Sequence, residues 1–401
     1  MAEYPPTLQP RPLMAHMQAL CKEIGPRPST SERERWAADY VEEALRRSGI
    51  ADIQRQPFKS QNSAGWVMII SFAAGLLATV LSGLAGRWGG ILGSALFAGS
   101  GYIFWQLLFV RPPIFQKAIA RWTSQNVIAT IPAEGQTRQT IYLVGHLDSQ
   151  KQRFQFPPSP FWIMKAQTSL PILLGALGSL FSLASALPGY RGGSWWLWPL
   201  GAAYLWGLLG TVYDETQPHV EGANDNATAV SLLLGIAQTL KDRPLRHTDV
   251  VLLFTGCEEV GCVGMESYLR QFSPPTDNTF WIDVEMVGTG DLCYVTKHGI
   301  SYLTPYFPHP VMVGIADRVA RRHPRLGVVG KDMVILEEVA SLRRRGYKAL
   351  CIAGYDERGV LPHWHRLSDT LENIEPDTLS RAACYIWALM REIDAIGVEP
   401  G

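Results

Sequence analysis

The chain has 401 residues, and its 36 Lys and Arg balance its 36 Asp and Glu, which gives a formal net charge of +0. Because no global positive field results, we do not expect nucleic acid as a partner. Hydrophobic residues make up 47% of the chain, and they are concentrated in two regions, residues 66–110 and 168–213.

Six cysteines are scattered along the chain, and none belongs to a CxxC pair. Their spacing indicates neither a disulfide framework nor a zinc site built from cysteines. The first residues, MAEYPPTLQPRPLMAHM, contain no basic stretch followed by an apolar run. We therefore expect no cleaved signal peptide.

The first predicted element is a helix over residues 30–48. Ser31 is followed three residues later by Glu34, which is the capping-box pattern of a helix start. Apolar residues then recur at helical spacing. Residues 52–58 alternate weakly between apolar and polar side chains, which predicts a strand.

Two apolar segments follow, residues 65–86 and 89–110. Each is uncharged and about 20 residues long, which is the length that spans a bilayer. Only Arg87 and Trp88 separate them, so residues 66–110 are predicted to form a transmembrane hairpin. Their glycines and alanines suit close packing of helices in lipid.

A second pair of uncharged segments occupies residues 169–187 and 195–213, with a short turn between them. The alternative is a pair of buried helices in a soluble core. Four uncharged segments of near-spanning length, arranged as two hairpins, favour the membrane. Residues 168–213 are therefore predicted to form a second hairpin, which gives a multi-pass protein with four transmembrane helices in a lipid bilayer.

Outside the hairpins, apolar strands alternate with amphipathic helices. This alternation predicts an α/β fold with a mostly parallel twisted sheet and helices on both faces. The predicted strands are residues 140–145, 249–256, 278–288 and 347–354, and the clearest helices are residues 226–240 and 376–395.

Polar side chains follow these strands, at the edge where an open α/β sheet binds its ligands. His146 and Asp148 come directly after the first strand. His146 is a candidate metal ligand, and Asp148 is a candidate partner for its second ring nitrogen. Asp225 precedes the long apolar helix. Taken alone it reads as a helix cap, whereas its polar neighbours Asn224 and Asn226 favour a site.

Carboxylates follow the next two strands. Glu258 and Glu259 come directly after the second strand. Adjacent glutamates at a strand end can have different roles, one binding metal and the other acting as general base. Asp283 and Glu285 lie two residues apart in the third strand and so point the same way. We expect one of them to bind metal and the other to be structural.

Two histidines, His363 and His365, lie in the loop after the last strand. A loop histidine is usually exposed and inert. Together with the carboxylates, however, an imidazole here would complete the mixture of ligands that suits Zn²⁺.

The order of these motifs resembles that of the M28 family of zinc aminopeptidases. The chain contains GHLDS, GANDN, CEEVG, VEMVG and HRLSDTL in the family's order, and its segment IGPRPSTSERERWAADYVEEALRRSGI resembles the family's first helical region. The resemblance covers nearly everything except the two hairpins. It implies that residues 1–65, 111–167 and 214–401 together form one zinc-peptidase α/β domain.

The resemblance also implies a role for each site residue and two zinc ions per chain. His146, Asp225 and Glu285 would bind one zinc, while Asp225, Glu259 and His365 would bind the other. Glu258 would be the general base and Asp148 the support of His146. A strained or cis peptide bond would follow Asp225.

The sequence departs from the family pattern at two places. Glu285 stands where the family usually has Asp, which puts one metal position in doubt. The family's Ser-Asp-His stretch is matched to Lys331, Asp332 and Met333, so the family's substrate contacts cannot be transferred.

The sequence therefore predicts a membrane-bound zinc metallopeptidase that hydrolyses peptide substrates and releases N-terminal residues. The alternatives are a glutaminyl-cyclase-like acyltransferase with one zinc, and a non-catalytic receptor or scaffold. A transporter is disfavoured because no apolar segment contains an acid or a base. Basic residues flank the hairpins on the side of the enzyme domain, which predicts that this domain is cytoplasmic.

Overall fold

The computed structural model describes residues 4–84, 86–154, 160–190 and 194–396. Within these residues, eight strands form a single sheet in the order β1-β2-β4-β3-β5-β8-β6-β7. Their bounds are β1 Asp52–Ser60, β2 Trp122–Ile131, β3 Gln139–His146, β4 Thr248–Thr255, β5 Thr279–Glu285, β6 Asp291–Lys297, β7 Val328–Asp332 and β8 Lys348–Tyr355.

The centre of the sheet is parallel, since β4, β3, β5 and β8 all run in the same direction. At one edge, β2 is antiparallel to β4 and β1 is antiparallel to β2. At the other edge, β6 is antiparallel to β8 and parallel to β7. The prediction of a mostly parallel sheet with helices is thus confirmed, with antiparallel additions at both edges.

Twelve α-helices are described, in addition to short 3-10 and π-helical segments. Their bounds are α1 Pro10–Gln18, α2 Glu32–Arg47, α3 Gly65–Leu84, α4 Gly86–Leu108, α5 Gln116–Ile119, α6 Phe161–Ser185, α7 Leu197–Glu215, α8 Thr228–Asp242, α9 Val263–Gln271, α10 Pro310–Arg322, α11 Val339–Arg343 and α12 Pro376–Ile396.

The sheet separates two hydrophobic cores. Successive residues of a strand point to opposite faces, so Ile141 and Leu143 pack with α1, α2, α8, α10 and α12, while Tyr142 and Val144 pack with α9 and α11. Because both faces are covered, the central strands are apolar along nearly their whole length.

Three helices are long and apolar enough to cross a membrane, namely Gly65–Leu84, Gly86–Leu108 and Trp162–Ser185, within the residues that the structure describes. The sequence predicted four. The fourth segment does form a helix, α7, but this helix has 19 residues and ends in Asp214 and Glu215. Its uncharged part is therefore shorter than the roughly 20 residues that span a bilayer.

The four apolar helices pack in the order α7, α3, α4 and α6. Small residues allow the close contacts: a Cβ placed on Gly175 of α6 would lie 2.6 Å from the Cα of Gly101 in α4. The hydroxyls of Ser94 and Ser179 are 2.9 Å apart across the same pair of helices. This packing agrees with the prediction that small residues let these helices approach closely.

Both hairpins are connected to the same edge of the sheet. β1 ends at Ser60, which pairs with Trp122 at the start of β2, and β2 runs antiparallel to β4. The first hairpin therefore leaves and rejoins the sheet where the parallel strands have their carboxyl ends. The second hairpin follows β3, which also ends there. The apolar helices thus lie next to the edge at which the site residues are expected.

Candidate active site

The carboxyl edge of the parallel strands brings the predicted site residues together. β3 ends at His146 and β5 at Glu285, while Glu258 and Glu259 follow the end of β4. His365 lies in the loop after β8. Asp225 lies just before α8, and the peptide bond between Asp225 and Asn226 is cis, as the sequence led us to expect.

His146, Asp225 and Glu285 form a first donor group. The Nε2 atom of His146 lies 3.1 Å from Oδ1 of Asp225 and 3.6 Å from Oε2 of Glu285. All three side chains are buried, and one donor atom from each lies within 4.8 Å of the other two.

Asp225, Glu259 and His365 form a second donor group. The Nε2 atom of His365 lies 3.1 Å from Oε2 of Glu259 and 3.5 Å from Oδ2 of Asp225. Asp225 therefore faces the first donor group with one carboxylate oxygen and the second with the other. This is the arrangement needed for a carboxylate that bridges two cations.

Asp148 contacts His146 differently from the prediction. The Nδ1 atom of His146 lies 3.0 Å from the backbone oxygen of Asp148 and 3.5 Å from its carboxylate. The carboxylate instead accepts the backbone N–H groups of Glu258 and Glu259, at 3.0 and 3.2 Å, and the hydroxyl of Ser29 at 2.6 Å. Asp148 thus fixes the orientation of both glutamates.

We expect Asp148→Asn to lower kcat/KM by about 10- to 100-fold, the usual cost of losing a residue that orients a metal ligand. One oxygen would become an NH₂ group facing a backbone N–H. Steady-state kinetics would measure the loss. Ser29→Ala is the matched control, since it removes one hydrogen bond and leaves both backbone contacts in place. Equal losses in the two variants would contradict this role.

Asp369, Asn226 and Arg27 hold the surrounding loops, and none was among the predicted site residues. The Asp369 carboxylate accepts the backbone N–H groups of Asn224 and Asp225. The Asn226 amide donates to Oε2 of Glu285 at 2.9 Å. The buried Arg27 guanidinium donates to backbone oxygens, including those of Leu147 and Gly222. Each of the three lies in a segment that carried the family resemblance: Asp369 in HRLSDTL, Asn226 in GANDN and Arg27 in IGPRPST.

The site brings several buried carboxylates close together, and this shifts the pKa values of its acids and histidines. Burial raises the pKa of Glu258 and of Glu259 well above their usual range, and neighbouring carboxylates add to both shifts. Burial alone would lower the pKa of His146, but Glu285, Asp148 and Asp225 raise it well above its usual value. Burial lowers the pKa of His365 to about 4 and so favours its neutral imidazole, whereas the carboxylates around His146 favour its charged imidazolium. Binding of a cation by His146 would therefore require the release of that proton.

The donor set fits divalent cations. One carboxylate oxygen of each shared or paired acid, namely Oδ2 of Asp225, Oε1 of Glu259 and Oε1 of Glu285, is buried and accepts no hydrogen bond in the described part of the chain. Buried carboxylates are costly unless they are paired or bind metal. Imidazole and carboxylate ligands together are the mixture that suits Zn²⁺.

His363 and Asp283 lie outside both donor groups. The Nδ1 atom of His363 lies 2.9 Å from the hydroxyl of Ser368. Asp283 is fully buried near Glu337 and Cys351, with which it forms a third cluster of possible ligands. Glu285 and His365 are thus the members of each pair that reach the paired donor groups.

Two neighbouring acids, Glu337 and Glu338, were missed by the sequence analysis. Both are fully buried, and burial together with Glu285 raises the pKa of Glu338 to about 8, although Thr255 opposes the shift. Asp332 is instead exposed and accepts a hydrogen bond from Thr296. Matching Lys331, Asp332 and Met333 to the family's Ser-Asp-His stretch therefore does not identify the acids nearest the site.

A cavity of about 130 Å³ opens above the donor groups. Glu258, Glu259, Asp225, Glu285 and His365 line its base. Its walls are mainly apolar, and they include side chains of the first hairpin, namely Met68, Leu107 and Leu108. The apolar helices thus form part of the wall of the candidate active site.

Comparison with known proteins agrees with this reading of the fold. Residues 208–390 match the family model described as peptidase family M28. The matched span includes Asp225, Glu258, Glu259, Glu285 and His365, and it leaves out His146. No curated protein matches the chain in sequence.

Solved structures of two activities are similar in fold. A glutaminyl cyclase from Bacteroides thetaiotaomicron, bound to N-acetylhistamine, has a TM-score of 0.57 at 13% identity, covering 96% of this chain and 98% of its own. A leucine aminopeptidase precursor from the same organism has a TM-score of 0.57 at 14% identity, with the same coverage. BSAP, a zinc aminopeptidase from Bacillus subtilis, has a TM-score of 0.56 at 13% identity, covering 96% of this chain and 95% of its own.

Together these matches support an M28-like zinc hydrolase fold. Because the solved structures share at most 14% identity with this chain, they establish the fold and leave the choice between peptidase and cyclase to the site itself.

Proposed function

We propose that this protein is a membrane-bound, two-zinc metallopeptidase that hydrolyses peptide bonds and releases N-terminal residues. The observation that carries the proposal is Asp225, whose two oxygens face two separate groups of histidine and carboxylate donors. A bridging carboxylate between two metals is a feature of hydrolytic two-metal sites.

Zinc bound by these groups would supply an activated water and polarise the scissile carbonyl. Glu258 has the position of a general base, since it lines the cavity and its Oε2 atom stands 4.0 Å from Nε2 of His146. It would take the proton of the attacking water and pass it to the nitrogen of the leaving amine. Burial raises its pKa, which suits a group that must both accept and donate a proton near neutral pH.

A glutaminyl-cyclase-like acyltransferase is the second candidate, because structures with that activity are among the similar folds. Such an enzyme is expected to use a single zinc. The completeness of the first donor group, with His146 and Glu285 in place, favours the two-zinc hydrolase. A non-catalytic receptor or scaffold would not need the donors and the base, all of which lie together here.

Two measurements on the purified protein test the proposed function. Zinc content by plasma mass spectrometry should be two per chain, and aminoacyl-fluorophore substrates should be cleaved with release of the free amino acid. Cyclisation of an N-terminal glutaminyl peptide by a protein with one zinc per chain would instead establish the acyltransferase. Neither activity in protein that contains zinc would favour the scaffold.

We further propose that α3, α4, α6 and α7 lie in the bilayer with the catalytic domain on the cytoplasmic side. Eight basic residues flank the hairpins on the side of the enzyme domain: Arg55, Lys59, Arg111, Lys117, Arg121, Lys151, Arg153 and Lys165. The tips have only Arg87 and Arg191, the latter outside the described residues. An excess of Lys and Arg in short flanks marks the cytoplasmic side.

Single cysteines at Ser194 and Ser273, in a background without native cysteines, test this orientation. Both positions are exposed, the first near a hairpin tip and the second on the enzyme domain. A membrane-impermeant thiol reagent added to intact cells should label position 194 and spare position 273. Labelling of position 273 alone would place the peptidase on the other side of the membrane.

A further inference from the structure

A second, larger cavity lies between the apolar helices. Its volume is about 660 Å³, within the range of roughly 300–1,000 Å³ that is usual for small-molecule pockets. All four helices contribute to its lining, which is mostly apolar and contains no lysine or arginine among the described residues. We call this cavity the apolar chamber.

The apolar chamber exists because the two helices of the second hairpin separate. Near the tip, the ring centroids of Phe181 in α6 and Trp196, the residue just before α7, are 5.7 Å apart. Farther down, the described parts of α6 and α7 do not pack along their length, and each instead packs on the first hairpin, α6 on α4 and α7 on α3. The lining residues of α6 and α7, within 167–174 and 203–214, lie in the half nearest the catalytic domain.

The chamber opens toward the surface that the bilayer would cover. Leu170 of α6 and Trp206 and Leu209 of α7 line it and are also exposed, Trp206 to 81%. These apolar side chains flank the gap between the two helices. An apolar molecule in the bilayer would therefore reach the chamber without crossing water.

At its other end the chamber adjoins the candidate active site. Met68 of α3 and Leu107 and Leu108 of α4 line both the chamber and the cavity that contains Glu258 and His365. The apolar lining of the chamber thus continues, through these three shared side chains, into the wall of the active-site cavity.

From this continuity we infer that the substrate contains a long hydrocarbon chain, which lies in the apolar chamber while its amide bond lies beside Glu258. The inference rests on the proposed hydrolysis and adds the substrate class, a lipidated amino acid or short lipidated peptide. In the reaction, water adds to the amide carbonyl and the C–N bond breaks, which yields a carboxylic acid and an amine and needs no further reactant.

The length of the chamber favours a single chain over a transmembrane helix of a protein substrate. Its lining covers parts of residues 167–174 of α6 and 203–214 of α7, which at about 1.5 Å per residue correspond to about 12 and 18 Å of helix. A spanning helix crosses about 30 Å of hydrocarbon, whereas a flexible hydrocarbon chain fits a shorter, curved cavity.

Two residues of α7, Ala203 and Leu205, give a test variant and its control. Ala203 lines the chamber, so Ala203→Trp should fill part of it. Leu205 is exposed, is not among the lining residues and lies about 200° around the helix from Ala203, so Leu205→Trp adds a ring outside the chamber. Leu174→Trp, on the facing helix α6, is a second filling variant should Ala203→Trp fail to fold.

The test compares amides whose chains range from two to sixteen carbons, with protein in one detergent throughout. One series is N-acyl amino acids and the other amino acid N-alkylamides, which separates a chain on the acyl side from one on the amine side. In one series kcat/KM should rise with chain length by up to roughly fourfold per methylene and then level off, since burial of a CH₂ contributes about 0.8 kcal/mol. Ala203→Trp should lower the ratio of long-chain to short-chain kcat/KM by at least tenfold, and Leu205→Trp should retain it.

Equal ratios in the two variants would overturn the inference while leaving the hydrolase intact. A photoreactive alkyl amide bound to Glu258→Gln gives a readout that needs no turnover. Crosslinks should map to 167–174 and 203–214, should be displaced by excess unreactive amide, and should weaken in Ala203→Trp only. Crosslinking that excess amide does not displace, or that a transmembrane peptide alone displaces, would rule out a single-chain substrate.

Discussion

Glu258→Gln should lower kcat by about 10²- to 10⁴-fold, the usual contribution of a general base, and should leave zinc content near that of the wild type. Glutamine has nearly the same shape as glutamate but cannot accept the proton of water. Glu258 lines the cavity and lies outside both donor groups, so its substitution removes no ligand. Stopped assays of turnover and zinc analysis of the same preparation give the two measurements.

The adjacent Glu259→Gln is the matched control. Glu259 belongs to the second donor group, with its Oε2 atom 3.1 Å from Nε2 of His365, so this variant should lose zinc as well as activity. If Glu258→Gln loses its metal and Glu259→Gln retains it, the roles of the two glutamates are the reverse of those proposed.

His365→Ala should lower kcat/KM by at least about 100-fold and reduce zinc to about one per chain, because His365 supplies the imidazole of the second donor group. Loss of one ligand leaves Glu259 and the bridging Asp225, a set with fewer ligands than structural and catalytic zinc sites have. Activity assays and zinc analysis of the dialysed variant would measure both effects.

His363→Ala controls for a general effect of altering this loop. The Nδ1 atom of His363 is within hydrogen-bond distance of the Ser368 hydroxyl, at 2.9 Å, and His363 belongs to neither donor group. This variant should keep activity within a few-fold of the wild type and both zinc ions. Equal losses in the two histidine variants would mean that the loop conformation, rather than ligation by His365, carries the effect.

The parts of the fold that the sequence predicted are those with a strong local signal. The helix start at Ser31 is confirmed, since its hydroxyl accepts the backbone N–H of Glu34 at 3.2 Å. The four central strands are confirmed because their continuous apolar runs follow from burial on both faces. The edge strand β7 was missed because it is partly exposed and lacks that apolar run. Its neighbour β6 was missed because its apolar run is short and lies between polar residues.

Several features of the site depend on contacts between distant parts of the chain, and no local sequence pattern predicts them. Nothing local indicates that the Asp148 carboxylate binds the backbone N–H groups of Glu258 and Glu259, more than 100 residues away. From the sequence, Glu337 and Glu338 resemble an ordinary pair of solvent-exposed acids. In the structure they lie in the loop before α11 and are buried. The separation of α6 from α7 depends on their packing against the first hairpin, which no pattern within either segment encodes.

The sequence predicted which residues form the site, but it did not predict the distances between them. The order of five motifs selected His146, Asp225, Glu258, Glu259, Glu285 and His365, and the structure brings all six to one edge of the sheet. Whether the longer Glu285 reaches a metal was open from the sequence. In the structure its Oε2 atom lies 3.6 Å from Nε2 of His146, close enough for both atoms to contact one ion.

Crystals of the zinc-loaded protein, measured on both sides of the zinc absorption edge, would test the two-zinc centre most directly. Two anomalous peaks should appear, one among His146, Asp225 and Glu285 and one among Asp225, Glu259 and His365, each with carboxylate oxygens at about 2.0–2.2 Å. A single peak beside Glu259 and His365, or a peak at Asp283 with Glu285 turned away, would contradict the proposed centre.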